Sequence, residues 1–193
     1  SNNGIVVVAF DADRINMKGR ATFGWKPVGT IKTVTKSEGN HVYTIDNTPV
    51  LDLTIKYGGL ENVTPENFAL EHSIALTLLL QRETGEAVAR AGLVVDWNDH
   101  SIYCGGPVPQ GSKVRFSLPP DFDAIEKVIK GCQELKATEM PEADALILFN
   151  CAGRLLSFGP LITEEIEGVR NVWDTPIAGM FPMQNWPVLQ KEI

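Results

Sequence analysis

Ile74-Ala-Leu-Thr-Leu-Leu-Leu-Gln81, Ala87-Val-Ala-Arg-Ala-Gly-Leu-Val-Val-Asp-Trp97, Ser101-Ile-Tyr-Cys104 and Ser112-Lys-Val-Arg-Phe-Ser-Leu118 follow one another as apolar or alternating runs. Glu83-Thr84-Gly85, Asn98-Asp99 and Gly105-Gly106-Pro107 punctuate them. Runs of strand length bounded by turn residues predict an antiparallel meander. Pro119-Pro120-Asp121 then ends the series and caps a helix over residues 122–135. There Ile125, Val128, Ile129, Cys132 and Leu135 recur at helical spacing, while Glu126, Lys127, Lys130 and Gln133 take the other face. Cys132 lies in the apolar stripe, so packing is its expected role. A second helix is expected over residues 163–173, with Glu164, Glu165 and Glu167 near its positive end and Ile166, Val169 and Trp173 inward. The predicted fold class is α+β, a mainly antiparallel β-sheet with two long covering helices, in two lobes meeting near residues 65–73.

Upstream, residues 28–36 and 41–46 alternate around Glu38-Gly39-Asn40 and predict a β-hairpin. Residues 49–57 predict a short helix, with Thr48 as cap, Pro49 in the first turn and Gly58-Gly59 as terminator. Thr64-Pro65-Glu66 repeats the signal and predicts another over residues 65–70. Residues 5–10 form an all-apolar run that reads as a buried strand. In residues 22–29, glycines flank Trp25 and Pro27, the composition of a turn or kinked edge.

Downstream, Asp144-Ala-Leu-Ile-Leu-Phe-Asn-Cys-Ala-Gly-Arg154 is a continuous apolar run ending in a polar turn. Such a run predicts a strand covered on both faces, with Asn150, Cys151 and Arg154 emerging at its carboxyl end, where scaffolds commonly place ligand contacts. Residues 176–181 predict a last short strand, and residues 182–193 show no usable period.

A length of 193 residues with 44% hydrophobic and 21% charged side chains is ordinary globular composition. A net charge of −7, from 17 basic against 24 acidic residues and without a basic cluster, argues against a nucleic-acid partner. No apolar run is long enough to span a bilayer, so membrane insertion is not expected, and Ser1-Asn2-Asn3 lacks the features of a signal peptide. A cytoplasmic location follows as an expectation. Cys104, Cys132 and Cys151 are widely spaced and His41, His72 and His100 scattered, so no metal site is expected.

Several motifs taken in order resemble the FIST family, a sensory module of bacterial signal-transduction proteins and some eukaryotic F-box proteins. Gly24-Trp25-Lys26-Pro27-Val28-Gly29 resembles the element near the end of the family's N-terminal half. Val34-Thr35, Gly39-Asn40, Val42-Tyr43 and the Asp46, Pro49, Leu51-Asp52 series are similar to the segment that follows. Phe149-Asn150-Cys151-Ala152-Gly153-Arg154 resembles its Cys-x-x-Arg turn, and Pro176-Ile177-Ala178-Gly179-Met180-Phe181 its next strand. The resemblance assigns residues 1–63 to the end of the N-terminal part and residues 64–193 to the C-terminal part. It implies a fragment or a shortened member, because the early N-terminal half has no counterpart. It also implies small, amino-acid-like ligands and a signalling protein or domain as partner. Some members are reported to bind haem, but no axial ligand maps onto the three histidines, so no cofactor is expected.

Candidate ligand contacts are therefore Asn150, Cys151, Arg154, Trp25, Arg90 and Gly179. Arg154 offers a planar fork suited to a carboxylate, and Asn150 adds a donor or acceptor. The structural alternative has Arg154 pairing with a helix acid while Cys151 packs. Trp25 would line a cavity and Arg90 interrupts an apolar strand, with core edge and salt bridge as their structural alternatives. The expected function is a non-catalytic, small-ligand-sensing module. Its alternatives are a thiol-dependent enzyme using Cys151 as nucleophile and a purely structural protein-interaction domain.

Overall fold

The computed structural model describes residues 7, 9–68, 72 and 76–180. The fold is α+β, built on an eight-stranded antiparallel sheet that curls nearly into a barrel. Its strands are β1 (Lys26–Glu38), β2 (His41–Ile45), β3 (Thr48–Pro49), β4 (Leu78–Leu80), β5 (Val88–Arg90), β6 (Gly92–Asp96), β7 (Ser101–Cys104) and β8 (Lys113–Leu118). They lie in the order β5-β4-β8-β1-β2-β7-β6, with β3 on β2. The long β1 pairs with β8 through its first half and with β2 through its second. Register shifts between Val28 and Lys32 and after Val34 bend it from one neighbour to the other.

The end strands β5 and β6 are joined only through Ala91, and the Gly92 amide donates to the Leu76 carbonyl at 3.2 Å, just ahead of β4. Gly92 permits this approach, because a Cβ there would lie 2.6 Å from the Leu76 Cβ and 2.8 Å from Ile102. Val34, Val42, Leu76, Leu78, Ile102 and Val114 fill the interior with no solvent exposure. Helix α1 (Val50–Gly58) adds Val50 and Leu51 to the same core. It ends as expected at Gly59, which adopts φ +66° and donates its amide to the Ile55 carbonyl. Thr48 does not cap it: Thr48 and Pro49 form β3 after a two-residue turn in which Asp46 and Asn47 both have positive φ.

The remaining elements are α2 (Asp123–Thr138), β9 (Leu146–Phe149), α3 (Ala152–Phe158), a 3₁₀ turn (Gly159–Leu161), α4 (Ile162–Trp173) and β10 (Ile177–Met180). Strands β9 and β10 pair in parallel as a separate two-stranded sheet. Ala124, Ile125, Phe158 and Ile162 form a second, smaller core.

Several expectations need correction. The meander is not a run of sequential neighbours, since β8 inserts between β4 and β1 while β7 joins β2. The 87–97 run divides into β5 and β6 where the sheet turns. Helices α2 and α4 pack on each other, where Gly168 receives the Ile129 side chain, and the helix inserted in the large sheet's core is the short α1. Among the described residues strand β9 turns alternate side chains to solvent and is not covered on both faces, with Ile147 55% and Phe149 72% exposed. The 65–70 segment begins as a single turn, closed by the Phe68 amide on the Thr64 carbonyl at 3.0 Å, and residues 69–70 lie outside the described ones. Of the 5–10 strand, the described Val7, Ala9 and Phe10 are outside regular structure and exposed, and the other residues lie outside the description, as does the 182–193 tail.

Candidate functional site

Strand β9 points its last residues at the start of α3. The Asn150 amide donates to the Met180 carbonyl at 3.0 Å, which ties the strand tip to β10. Cys151 is extended, with φ −74° and ψ 133°, and precedes the first helical residue. The Arg154 and Leu155 amides both donate to its carbonyl, at 3.0 and 3.3 Å. This sharp strand-to-helix turn leaves the Cys151 side chain exposed and directs Arg154 inward.

Arg154 is 5% exposed and forms an ion pair through Nη2 with Oε2 of Glu165, itself 2% exposed, on α4. Asn150 Nδ2 donates to the other carboxylate oxygen of Glu165 at 2.8 Å. One carboxylate is thus held by a guanidinium and a carboxamide in surroundings that exclude water, where charge-assisted bonds are strongest. The guanidinium lies 5.1 Å from the Phe158 ring centroid. Its Nη1 is buried without a hydrogen-bond partner among the described residues.

Two residues of the early glycine-tryptophan segment complete the surroundings. A Cβ at Gly24 would lie 3.0 Å from Arg154 Nη1, and one at Gly153 would lie 3.1 Å from the Trp25 ring and 3.5 Å from Cys151 Sγ. Both glycines permit approaches that a side chain would block. The fold therefore brings Trp25, Asn150, Cys151 and Arg154 together, although more than a hundred residues separate Trp25 from the others. Gly179 sits on β10 opposite Leu148, and a Cβ there would run into the Leu148 carbonyl. Arg90 is engaged elsewhere. Its Nε donates to the Pro107 carbonyl at 2.9 Å and its Nη1 to that of Ala89 at 3.1 Å, tying β5 to the loop after β7.

Sequence reasoning missed Glu165 as part of this cluster. A signal was present, because Glu165 falls between Ile162 and Val169 on the stripe that α4 buries. The histidines are committed to other contacts: His41 to Ser101, His100 to Asp52 and His72 to the Phe68 ring. Among the described residues no cluster of His, Cys, Asp or Glu could hold a metal ion, and no helix is long and apolar enough to cross a membrane. Open grooves of about 790 and 510 Å³ lie along the α2–α4 pair and are not lined by Arg154.

The juxtaposition of an early glycine-tryptophan segment with a late Cys-x-x-Arg turn agrees with comparison to known families. Residues 52–183 match the FIST C domain and residues 1–48 match the FIST N domain. The chain belongs to the FIST family. No curated protein sequence and no solved structure matches it. FIST domains are sensory domains of signalling proteins, and the Gly24–Trp25 contact with Gly153 and Arg154 lies where the two matched segments of this FIST chain meet.

Proposed function

We propose that this FIST chain senses a small carboxylate-bearing ligand, of the amino-acid class, at the turn between β9 and α3. The observation that carries the reading is that Arg154 and Asn150 already hold a carboxylate, that of Glu165, on both of its oxygens. A site that fits an internal carboxylate so closely fits an external one by the same geometry. The ligand carboxylate takes the place of Glu165, entering beside exposed Cys151 and the Trp25 ring. Displaced Glu165 takes α4 with it, and α4 packs on α2, so occupancy reaches the surface of the helix pair. Exchange satisfies the thermodynamic requirement of a sensor, which must bind its ligand better in one conformation than in another. The signalling partner then reads the helix pair.

Isothermal titration with a panel of amino acids and small dicarboxylates tests the reading. Binding is expected to weaken about tenfold or more in Arg154→Lys, which keeps the charge but loses the planar fork. It is expected to tighten in Glu165→Gln, where the competing charge is gone. Binding indifferent to both changes removes the site, and absence of binding across the panel removes the sensor reading.

A further inference from the structure

On the outer wall of the barrel four residues stand in direct register across four strands: Glu38 on β1, His41 on β2, Tyr103 on β7 and Val94 on β6. Their neighbours Val42 and Ile102 point into the core, so alternation sends this row to the outside. The imidazole of His41 stacks on Tyr103 with centroids 3.8 Å apart and lies tilted against Tyr43 at 4.0 Å. A register shift between Gly92 and Val94 leaves two consecutive aliphatic side chains, Leu93 and Val94, exposed beside the aromatic rings. One end of the row is thus acidic, the middle aromatic and the other end aliphatic.

The aromatic middle of the row is anchored from below. His41 Nε2 hydrogen-bonds the buried Ser101 hydroxyl at 2.6 Å, and the Ser101 amide donates to Asp99 at 3.0 Å. An imidazole so anchored loses little side-chain entropy when covered. The row's charge is also defined. Burial first, and then the nearby Glu38, Asp99 and Asp96 carboxylates, raise the Tyr43 phenol above its ordinary pKa. Lys36 already sets its ammonium 4.4 Å from the Tyr43 ring centroid, so this wall accepts a cation on an aromatic face.

We propose that the β1–β2–β7–β6 wall is a docking surface for a basic segment of a protein partner. An Arg or Lys side chain of that segment lies on Tyr103 near Glu38 and Asp99, and an adjacent apolar side chain covers Leu93 and Val94. Charge complementarity selects this occupant: exposed apolar area of this kind marks an interaction site, and the carboxylates at its edge, in a chain of net charge −7, favour a cationic one. The inference is independent of the Arg154 turn.

Fluorescence anisotropy with three labelled peptides tests it, one alternating Arg and Leu, one Gln and Leu, one Glu and Leu. The Arg-Leu peptide is expected to bind, the Gln-Leu peptide roughly tenfold more weakly and the Glu-Leu peptide not at all. Tyr103→Ala is expected to weaken Arg-Leu binding roughly tenfold, as for an aromatic anchor. Glu38→Lys should weaken it and flatten its salt dependence, while Arg154→Lys leaves it unchanged. Equal binding of Arg-Leu by wild type and Tyr103→Ala would mean diffuse attraction to an acidic protein and overturns the proposal, as does equal binding of the Gln-Leu peptide. Sedimentation covers the other occupant. A wild-type dimer that Tyr103→Ala converts to monomer, with no peptide bound by either, assigns the wall to a second copy of the chain and overturns the basic segment.

Discussion

The barrel and the helical part bury polar groups in opposite ways. Inside the barrel the buried polar side chains are hydroxyls, and Thr54 and Ser117 satisfy theirs on the Val50 and Thr77 carbonyls at 2.8 and 2.7 Å. Around α3 and α4 the buried polar groups include a charged pair, Arg154 and Glu165, held with the Asn150 carboxamide beside a cluster of four buried apolar residues among the described ones. Apolar packing specifies the barrel. A buried ion pair is weak evidence for stability, because desolvation offsets most of the attraction, and its retention fits a site whose partners can be exchanged.

The strongest way to break this contrast is to remove one charge. Arg154→Leu leaves Glu165 buried without a counter-ion and is expected to cost about 3–5 kcal/mol in urea unfolding. Adding Glu165→Leu is expected to recover most of that loss, since an apolar replacement of the whole pair is often neutral. In the barrel, Leu78→Ala is expected to cost about 2–5 kcal/mol with no comparable rescue from a second apolar truncation. A loss under about 1 kcal/mol for Arg154→Leu would show that Glu165 readily reaches water.

Glycine substitutions sharpen the comparison at a smaller scale. Gly92→Ala sets a methyl 2.6 Å from the Leu76 Cβ and 3.0 Å from its carbonyl oxygen, where backbone must move, and is expected to cost about 1–3 kcal/mol. Gly168→Ala in α4 runs a methyl into Ile129 Cδ1 and sets it 2.7 Å from Cγ1 of the same residue, where a side chain and not the backbone must move. The gain of about 1 kcal/mol in helix propensity offsets the repacking, so near-neutral stability is expected. The thiols should divide in the same way. Burial pushes Cys104 in the barrel up to about 11, whereas Cys151 at the turn is exposed. Iodoacetamide near neutral pH should label Cys151 first and Cys104 only on unfolding. Equal rates would mean that the barrel opens readily.

Local features of this fold were legible in the sequence. Gly39-Asn40 marked the β1–β2 hairpin, the 3.6-residue stripe marked α2, and the apolar run with its polar end marked β9 and the turn that follows. What escaped depends on distant neighbours. Nothing local to residues 113–118 announces that β8 lies between β4 and β1. Apolar content overstated the burial of β9, since an all-apolar strand reads alike whether one face is covered or two. Glu165 looked like an acid favouring a helix start, and only the contacts from Asn150 and Arg154 make it a buried partner. The structural alternative for Arg154, pairing with a helix acid, is what the described contacts show, while the ligand role rests on exchange of that acid.

The smallest expected effect concerns the barrel's own exposed ion pair, the counterpart of the buried one. Asp46 Oδ1 accepts the Thr33 amide at 2.9 Å and Oδ2 lies 2.9 Å from Lys32 Nζ. The Thr33 hydrogen bond first, and then Lys32, hold the Asp46 carboxyl below its ordinary value of 3.8, while the bond to Asp46 raises Lys32 above 10.5. A carboxyl with a depressed folded pKa contributes stability that is present above its unfolded value and lost as pH falls through the folded one. An ammonium with a raised folded pKa contributes stability that is present below its unfolded value and lost as pH rises through the folded one. Asp46→Asn keeps a side chain suited to the positive φ of this turn and removes both contributions. Unfolding measured against pH should therefore give a variant whose deficit is constant between about pH 5 and 9 and shrinks below and above that window. The deficit itself should be small, because solvent screens a pair at the surface. A deficit that persists undiminished at pH 2 would mean that Asp46 acts through the turn backbone and not through its charge.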